Sequence, residues 1–177
     1  MKLSRKGKDI FVLFSLSAIV IIISLFIPYK QALVFLQIEN NYDLSYLPIK
    51  KGETFKIEYV HSIHLSNVIE SYKVINEYEF RQYELEYEDY AIGMPSDAAG
   101  DGDFVAGNGK YYIKNTKRDF TSFLLRTGQV RANHTLIYQN QFYPLSDFIE
   151  PGTRVSIQLK KLSVIQQLKG VNILGDK

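Results

Sequence analysis

The sequence predicts an all-β domain, a β-sandwich or an open barrel of about eight or nine strands, preceded by one N-terminal transmembrane helix. Three observations lead to this fold class. Short runs in which apolar and polar residues alternate recur between turn residues along most of the chain. The 13 Tyr and 11 Phe are spread among these runs, and both residue types favour strands. One uncharged stretch, residues 10–27, is long enough for a membrane helix.

The N-terminal segment combines a basic arm with that apolar stretch. Residues 1–9 hold four basic side chains against the single Asp9. As a helix, residues 10–27 would span about 27 Å, close to the hydrocarbon thickness of a bilayer. A cleaved signal peptide is the alternative, but its apolar stretch is usually about 7–15 residues, and no small-x-small cleavage site follows Pro28. We therefore expect a single-pass anchor in membrane lipid, with a cytoplasmic N-terminus and an extracytoplasmic domain.

The composition narrows the classes of function. The absence of Cys excludes disulfide scaffolds, thiolate metal sites and cysteine nucleophiles. Residues 28–177 hold 17 basic and 18 acidic groups, so this part lacks the electrostatic footprint of nucleic-acid binding. Phosphate-cradling and dinucleotide-binding motifs are absent from the sequence. The sequence therefore predicts no nucleic-acid partner and no cofactor.

The part beyond the anchor divides into three segments. Residues 28–48 form a linker with the first strand, residues 49–162 form the β-domain, and residues 163–177 form a C-terminal tail. Its polar, Gly-containing part, residues 168–177, is expected to be frayed. The predicted strands are Ala32–Glu39, Thr54–His61, Val68–Ile75, Phe80–Tyr90, Lys110–Lys114, Asp119–Leu125, His134–Tyr138, Gln141–Leu145 and Arg154–Leu162.

Two stretches differ from the rest in composition. Six acidic residues lie between Glu77 and Asp89, set against the single Arg81. Their alternation with apolar residues is typical of the solvated face of a strand pair, and their charges would also protect a sheet edge from further pairing. Residues 93–109 are rich in Gly, Asp and Ala, and we predict a loop there.

The densest polar group is the run from His61 to His64, followed by Glu70. On the predicted strand, Glu70 shares a face with Val68, Tyr72 and Val74, so it lies on an otherwise apolar side. A carboxylate in such a place needs a partner, because an unpaired buried charge is costly. His61 and Ser62 are the nearest candidates in the sequence.

Three interpretations of this group remain open. In the first, the group is a hydrogen-bonded network that fixes a hairpin. In the second, it is a surface that recognises a ligand or a protein. In the third, it is a Zn²⁺ or Fe²⁺ site completed by His64 or by an acidic residue of the 97–103 loop. A hydrolase triad fits less well, since adjacent Ser and His side chains on a strand point to opposite faces and no Gly-x-Ser-x-Gly sequence occurs. We therefore assign no catalytic residue and no metal ligand.

Several short motifs occur in an order that resembles a known family. They are Tyr59-Val60-His61-Ser62, Glu70, Ile92-Gly93-Met94-Pro95-Ser96, Arg118-Asp119-Phe120, Arg126-Thr127-Gly128, Asn133-His134-Thr135-Leu136, Pro144-Leu145 and Pro151-Gly152-Thr153-Arg154-Val155. Over about residues 49–160 the chain resembles the bacterial domain of unknown function 1850. The resemblance implies a small all-β domain of unassigned biochemistry. Family members often occur beside, or are associated with, tripartite ATP-independent periplasmic (TRAP) transporters of the TAXI type, which import organic acids or glutamate-like solutes.

The resemblance also implies a set of binding residues and a function. The chain departs from the family pattern at His64, which weakens a shared metal site, and in the acidic stretch 77–89. We expect a non-enzymatic accessory protein, tethered by residues 10–27, that contacts TRAP transporter subunits. The alternative is a ligand- or metal-binding domain, extending to a hydrolase, that uses His61, His64, Glu70 and the Asp97–Asp103 loop. The residues carried over by position are His61, Ser62, Glu70, Gly93, Met94, Pro95, Arg126 and His134.

Overall fold

Twelve strands, two α-helices and one short 3-10 helix make up the part of the chain that the computed structural model describes, residues 5–39, 43–61, 65–88, 102–128 and 133–175. The helices are α1 (Arg5–Ser24) and α2 (Val164–Lys169), and the 3-10 helix is Leu145–Asp147. The strands are β1 (Lys30–Gln37), β2 (Leu44–Pro48), β3 (Thr54–Val60), β4 (Asn67–Val74), β5 (Phe80–Tyr87), β6 (Asp103–Gly107), β7 (Lys110–Phe120), β8 (Ser122–Arg126), β9 (Thr135–Tyr138), β10 (Gln141–Pro144), β11 (Arg154–Leu162) and β12 (Val171–Asn172).

The strands form two sheets of unequal width. The five-stranded sheet has the order β12-β2-β1-β11-β8, and the seven-stranded sheet has the order β10-β9-β3-β4-β5-β7-β6. Neighbouring strands run antiparallel, apart from β12, which pairs with β2 in parallel. The chain passes from the wide sheet to the narrow one at Thr121, the single residue between β7 and β8.

The core lies between the two sheets. Leu33, Phe35 and Ile157 of the five-stranded sheet form one apolar cluster with Phe55 and Tyr72 of the seven-stranded sheet. Side chains at alternate positions of each strand point to this layer, because successive residues of a strand face opposite sides. The all-β prediction is therefore confirmed, and the architecture is a two-sheet sandwich.

The observed strands extend the predicted set. Each of the nine predicted strands overlaps an observed one, but β2, β6 and β12 raise the count in the described residues to twelve. β6 lies inside the predicted 93–109 loop, and all five of its residues are exposed. β2 is short and ends at Pro48. Neither strand shows the strong alternation of buried and exposed residues on which the prediction depended.

The C-terminal segment is ordered rather than frayed. Ser163 caps α2 with its hydroxyl, which accepts a hydrogen bond from the Gln166 N–H at 3.3 Å, and the Gln166 side chain in turn accepts one from the Ser163 N–H. Beyond α2, β12 pairs with β2, and Ile173 is 2% exposed. The prediction of a frayed tail is wrong because the segment buries an apolar side chain in the core.

The acidic stretch lies in the interior of a sheet rather than at an edge. β5 runs between β4 and β7. Glu86 lies 2.5 Å from the Lys110 ammonium, and Glu84 lies 3.9 Å from that of Lys114. The acidic residues of β5 therefore face basic residues of β7 across the strand pair. The prediction that they protect an edge is wrong.

The predicted anchor coincides largely with α1. Its apolar side chains are exposed, with Phe11 at 69% and Phe14 at 72%. The residues that follow α1 lie against the domain, because the Leu25 carbonyl accepts a hydrogen bond from the Ile165 N–H. Across the ranges described above, no helix combines the length and the apolar character needed to cross a membrane.

Candidate functional site

Glu70 interrupts an apolar row on the inner face of the seven-stranded sheet. The strand register places it between Ile57 of β3 and Leu85 of β5, and Leu85 lies opposite Ile113 of β7. Ile57 and Ile113 are 1% and 2% exposed. A carboxylate in such a row is costly unless its oxygens accept hydrogen bonds.

Two tyrosines supply those hydrogen bonds. The Tyr72 hydroxyl donates to Glu70 Oε2 at 2.6 Å, and the Tyr59 hydroxyl also donates to the Glu70 carboxylate. Tyr72 is two residues further along the same face of β4. Tyr59 lies opposite Val68, which makes it a diagonal neighbour of Glu70, within reach of an aromatic side chain. A bond of 2.6 Å, as from Tyr72, is in the range of the strong hydrogen bonds that hydroxyls make to ionised carboxylates.

Burial sets the electrostatics of the group. It raises the pKa of Glu70 above the ordinary value, although the two tyrosine hydrogen bonds and the positive charge of Arg118 oppose the shift. Burial and the negative charge of Glu70 raise the pKa values of Tyr59 and Tyr72. Both tyrosines therefore keep their protons and remain donors at physiological pH.

A cleft of about 480 Å³ opens above this group. Its floor is the inner face of β3, β4 and β5, where Tyr59, Glu70 and Leu85 lie. Arg118 of β7 and residues 123–125 of β8 line its sides. Glu70 is thus reached from a surface opening, and the cleft combines one half-buried carboxylate, one exposed cation and a largely apolar wall.

His134 supports the floor of the cleft. It lies directly before β9, is 7% exposed, and stacks on the ring of Tyr59 with a centroid distance of 5.2 Å. Its Nδ1 accepts a hydrogen bond from the Gly128 N–H at 3.4 Å, and its carbonyl accepts one from Leu145 at 2.9 Å. His134 therefore fixes the ring of Tyr59, and the Tyr59 hydroxyl in turn contacts Glu70.

The structure separates two other predicted site residues, His61 and Arg126, from this group. His61 follows β3 and closes the β3–β4 turn, where its N–H donates to the Ser66 carbonyl at 2.8 Å. It lies four residues along the chain from Ile57, the partner of Glu70, which is about 13 Å of strand. Arg126 ends β8, where its Nε donates to the Gly152 carbonyl at 3.3 Å. Ser62, Gly93, Met94 and Pro95 lie outside the described residues.

The partners that the structure shows for Glu70 are Tyr59 and Tyr72, which the hairpin register brings to its carboxylate. Of the two partners predicted from the sequence, His61 lies in the turn after β3. Ser62 lies outside the described residues, so its part of the prediction is not tested. The described residues contain no group of three metal-ligating side chains. The predicted metal alternative needs His64 or an acidic residue of the 97–103 loop. His64, Asp97 and Asp101 lie outside the described residues, and the Asp103 carboxylate accepts a hydrogen bond from the Asn115 side-chain amide at 2.7 Å.

A second cavity, of about 300 Å³, lies at the start of β1. It contains Glu53, whose carboxylate accepts hydrogen bonds from the Lys50 N–H at 2.7 Å and from the Tyr138 hydroxyl at 3.1 Å. These contacts close the turn before β3, so we interpret Glu53 as structural. The Glu70 cleft is the better candidate site because its carboxylate lies within an apolar row.

The residues that the sequence reasoning missed are Tyr59, Tyr72 and Arg118. The tyrosines carry a signal in the alternation, since Tyr72 shares the face of Glu70 and Tyr59 is the last residue of β3 on its inward side. Arg118 belongs to one of the family motifs but carries no signal in the alternation, because it reaches the site through its pairing with Gln82 across an irregular part of the β5–β7 ladder.

Comparisons with known proteins locate the chain in one family. No curated protein and no solved structure matches it. The family model described as a domain of unknown function, DUF1850, matches residues 55–145. That match runs from β3 to the start of the 3-10 helix and contains Tyr59, Glu70, Tyr72, Arg118 and His134. The chain therefore belongs to the DUF1850 family of domains of unknown function.

Proposed function

We propose that this protein is a non-enzymatic recognition module that binds a segment of a partner protein in the cleft above Glu70. The observation that supports this function best is a carboxylate placed in an apolar row, held by two tyrosines and open to the surface. A purely structural network would gain stability from being sealed, since water weakens its hydrogen bonds. An open cleft instead leaves the carboxylate available to an incoming group.

The chemistry of the group favours recognition over proton transfer. Tyr59 and Tyr72 hold their protons because their pKa values are raised. They fix the orientation of the Glu70 carboxylate and do not exchange protons with it at neutral pH. Such an arrangement presents a positioned acceptor to a donor on the ligand, which is how apolar pockets obtain specificity.

We place the module at the outer face of the cell membrane. The support is the uncharged stretch 10–27, the basic residues before it, and the exposed apolar side chains of α1. The partner we propose is a subunit of a TRAP-type transporter, on the basis of the family association that the sequence motifs imply. The tether would hold the cleft close to such a subunit and raise its effective concentration.

Cross-linking in native membranes tests this function. The full chain is the bait, and captured subunits are identified by mass spectrometry. Wild type is compared with Glu70→Gln and with Glu58→Gln, which removes the same charge from the opposite face of the neighbouring strand. We expect transporter subunits with wild type and Glu58→Gln, and fewer or none with Glu70→Gln. An abundant, folded wild type that captures no membrane protein would refute the proposal.

A ligand-binding domain is the second candidate. A cleft of about 480 Å³ falls within the usual size of a small-molecule site, about 300–1,000 Å³. The metal version of this candidate is tested by elemental analysis of the full purified chain. Stoichiometric metal that disappears in His61→Ala would favour it over the recognition module. A metal-free chain with unchanged His61→Ala stability would remove the metal version.

A further inference from the structure

The five-stranded sheet ends beside the cleft in an edge strand, β8, that no further strand covers among the described residues. β8 is the last strand of the five-stranded sheet, and in the described part of the chain it pairs with β11 alone. Its sequence, Ser-Phe-Leu-Leu-Arg, contains no proline and no glycine, and Leu124 is 67% exposed. Natural proteins usually protect such edges, because an open strand is a template for another strand.

The backbone register shows which groups of β8 point outward. The Thr127 N–H donates to the Thr153 carbonyl at 3.0 Å. This pair continues the register in which Leu125 lies opposite Val155. Hydrogen-bonded pairs alternate along an antiparallel ladder, so residues 123 and 125 are bonded to β11. The N–H and C=O groups of Ser122 and Leu124 therefore point away from β11, toward the cleft side.

The cleft occupies the place of a further strand. Residues 123–125 of β8 form one of its walls, and its floor is the inner face of the wider sheet. A strand added to β8 would lie over Glu70 and Leu85, as β8 and β11 lie over the neighbouring part of that sheet. Alternate side chains of the added strand would point to the floor.

The other sheet edges fit an added strand less well. β10 ends at Pro144, which cannot donate a backbone hydrogen bond. β12 has two residues. β6 has five, but its side chains are exposed along its whole length. Of the four edges described, β8 alone borders the cleft that contains the half-buried Glu70 carboxylate.

We propose that the partner segment binds as an extended strand on β8 and directs one basic side chain at Glu70; this inference rests on the proposed function. The Glu70 carboxylate has acceptor capacity beyond the two tyrosine donors, and no ion pair among the described residues involves it. A cation would therefore complete the pairing of this half-buried carboxylate. The length of β8 limits the paired part of the segment to about five residues, or about 17 Å. This mode of binding combines backbone hydrogen bonds with side-chain pockets.

A defined peptide series tests the inference with the full chain in detergent micelles. The probe is a fluorescent, end-capped Thr-Val-Thr-Lys-Thr-Val-Thr peptide, and binding is read by anisotropy. A second peptide carries norleucine in place of Lys. Two further peptides are N-methylated on alternate residues, so that each blocks one edge of the strand. The protein variants are Leu124→Pro, which removes an outward N–H, and its control Leu124→Ala, which keeps it.

Strand addition predicts a specific pattern. The Lys peptide binds wild type and Leu124→Ala, and binding falls at least about tenfold with Leu124→Pro, with the norleucine peptide and with Glu70→Gln. One of the N-methylated peptides binds and the other does not. Arg118→Gln strengthens binding of the Lys peptide, because a like charge near Glu70 is removed.

Three results would overturn the inference. Equal binding of the Lys peptide to Leu124→Pro and Leu124→Ala would show that no strand is added. The same conclusion would follow if both N-methylated peptides bound, or if neither did. Binding that is independent of Glu70 would refute the basic side chain. No binding of any peptide by folded wild type would reject this mode of recognition. The proposed function is judged separately, by capture of transporter subunits in membranes, so the two failures are distinguishable.

Discussion

Removing the hydroxyl of Tyr72 isolates the contribution of its hydrogen bond to Glu70. Tyr72→Phe keeps the ring, which is 3% exposed and stacks on Phe55 and Phe123 with centroid distances of 5.1 and 5.7 Å. No cavity forms, so the change in unfolding free energy reports the 2.6 Å bond alone. A hydrogen bond to a charged group contributes about 1.5–3 kcal/mol, and we expect a loss in that range at neutral pH.

The loss should depend on pH. Below the pKa of an unfolded Glu, Glu70 is protonated in both states, and the bond becomes a neutral one worth about 0.5–1.5 kcal/mol. The destabilisation by Tyr72→Phe should therefore fall by about half on acidification. Urea unfolding followed by circular dichroism measures it, since the chain has no Trp for fluorescence.

Tyr138→Phe is the matched control. Tyr138 is 5% exposed, and its hydroxyl donates to Glu53 at 3.1 Å. This bond is longer than the 2.6 Å bond of Tyr72, and the Glu53 carboxylate keeps a second donor, the Lys50 N–H. We expect a loss below about 1 kcal/mol. Equal losses of unfolding free energy at the two positions, or a loss at Tyr72 that does not change with pH, would refute the view that Glu70 is a half-buried carboxylate held by tyrosine.

Three further substitutions test the fold around the site. Because burial raises the pKa of Glu70, the folded protein binds its proton more tightly than the unfolded chain, so wild-type stability falls as pH rises through the folded value. The unfolding free energy of Glu70→Gln should therefore rise relative to that of wild type between about pH 4 and about pH 8 in urea titrations. A difference between the two unfolding free energies that does not change with pH would contradict this. Ser71 is 1% exposed and its hydroxyl has no partner among the described residues. Ser71→Ala should therefore leave the unfolding free energy unchanged or raise it by up to about 1 kcal/mol, measured by thermal melting. A clear fall in the melting temperature would reveal a missed partner. Gly102 has a φ of +126°, and a Cβ there would lie 2.5 Å from the Lys114 carbonyl oxygen. Gly102→Ala should therefore speed amide hydrogen exchange in β6 while β3 stays protected. Amide exchange in β6 that is as slow as in wild type would contradict this.

Local patterns in the sequence were sufficient for most strands and for the position of Glu70. β3, β4 and β11 each bury alternate residues, and period-two alternation is visible without knowledge of the partner strands. The same alternation placed Glu70 on an apolar face, as observed. The same alternation also places the tyrosine partners of Glu70 on that face. The prediction named His61 and Ser62 instead, because they are the more polar residues near Glu70 in the sequence.

The cleft could not be predicted from such patterns. It depends on pairings between distant residues, such as Gln82 with Arg118, and on an irregularity in the β5–β7 ladder that changes which side chains face inward. It depends also on the division of the strands into sheets of five and seven, which leaves β8 as an edge. Neither the register across a bulge nor the assignment of strands to sheets is specified by local periodicity.

Position-specific photo-cross-linking in native membranes tests most directly whether the edge of β8 is the recognition surface. A photoreactive phenylalanine analogue replaces Leu124 on β8 in one variant and Phe142 on β10 in another. Both residues are apolar, lie on edge strands, and are similarly exposed, at 67% and 65%. We predict a cross-linked membrane partner from position 124, lost on adding Glu70→Gln, and none from position 142. A partner cross-linked equally from both positions, or from position 142 alone, would contradict the assignment of the cleft as the binding site.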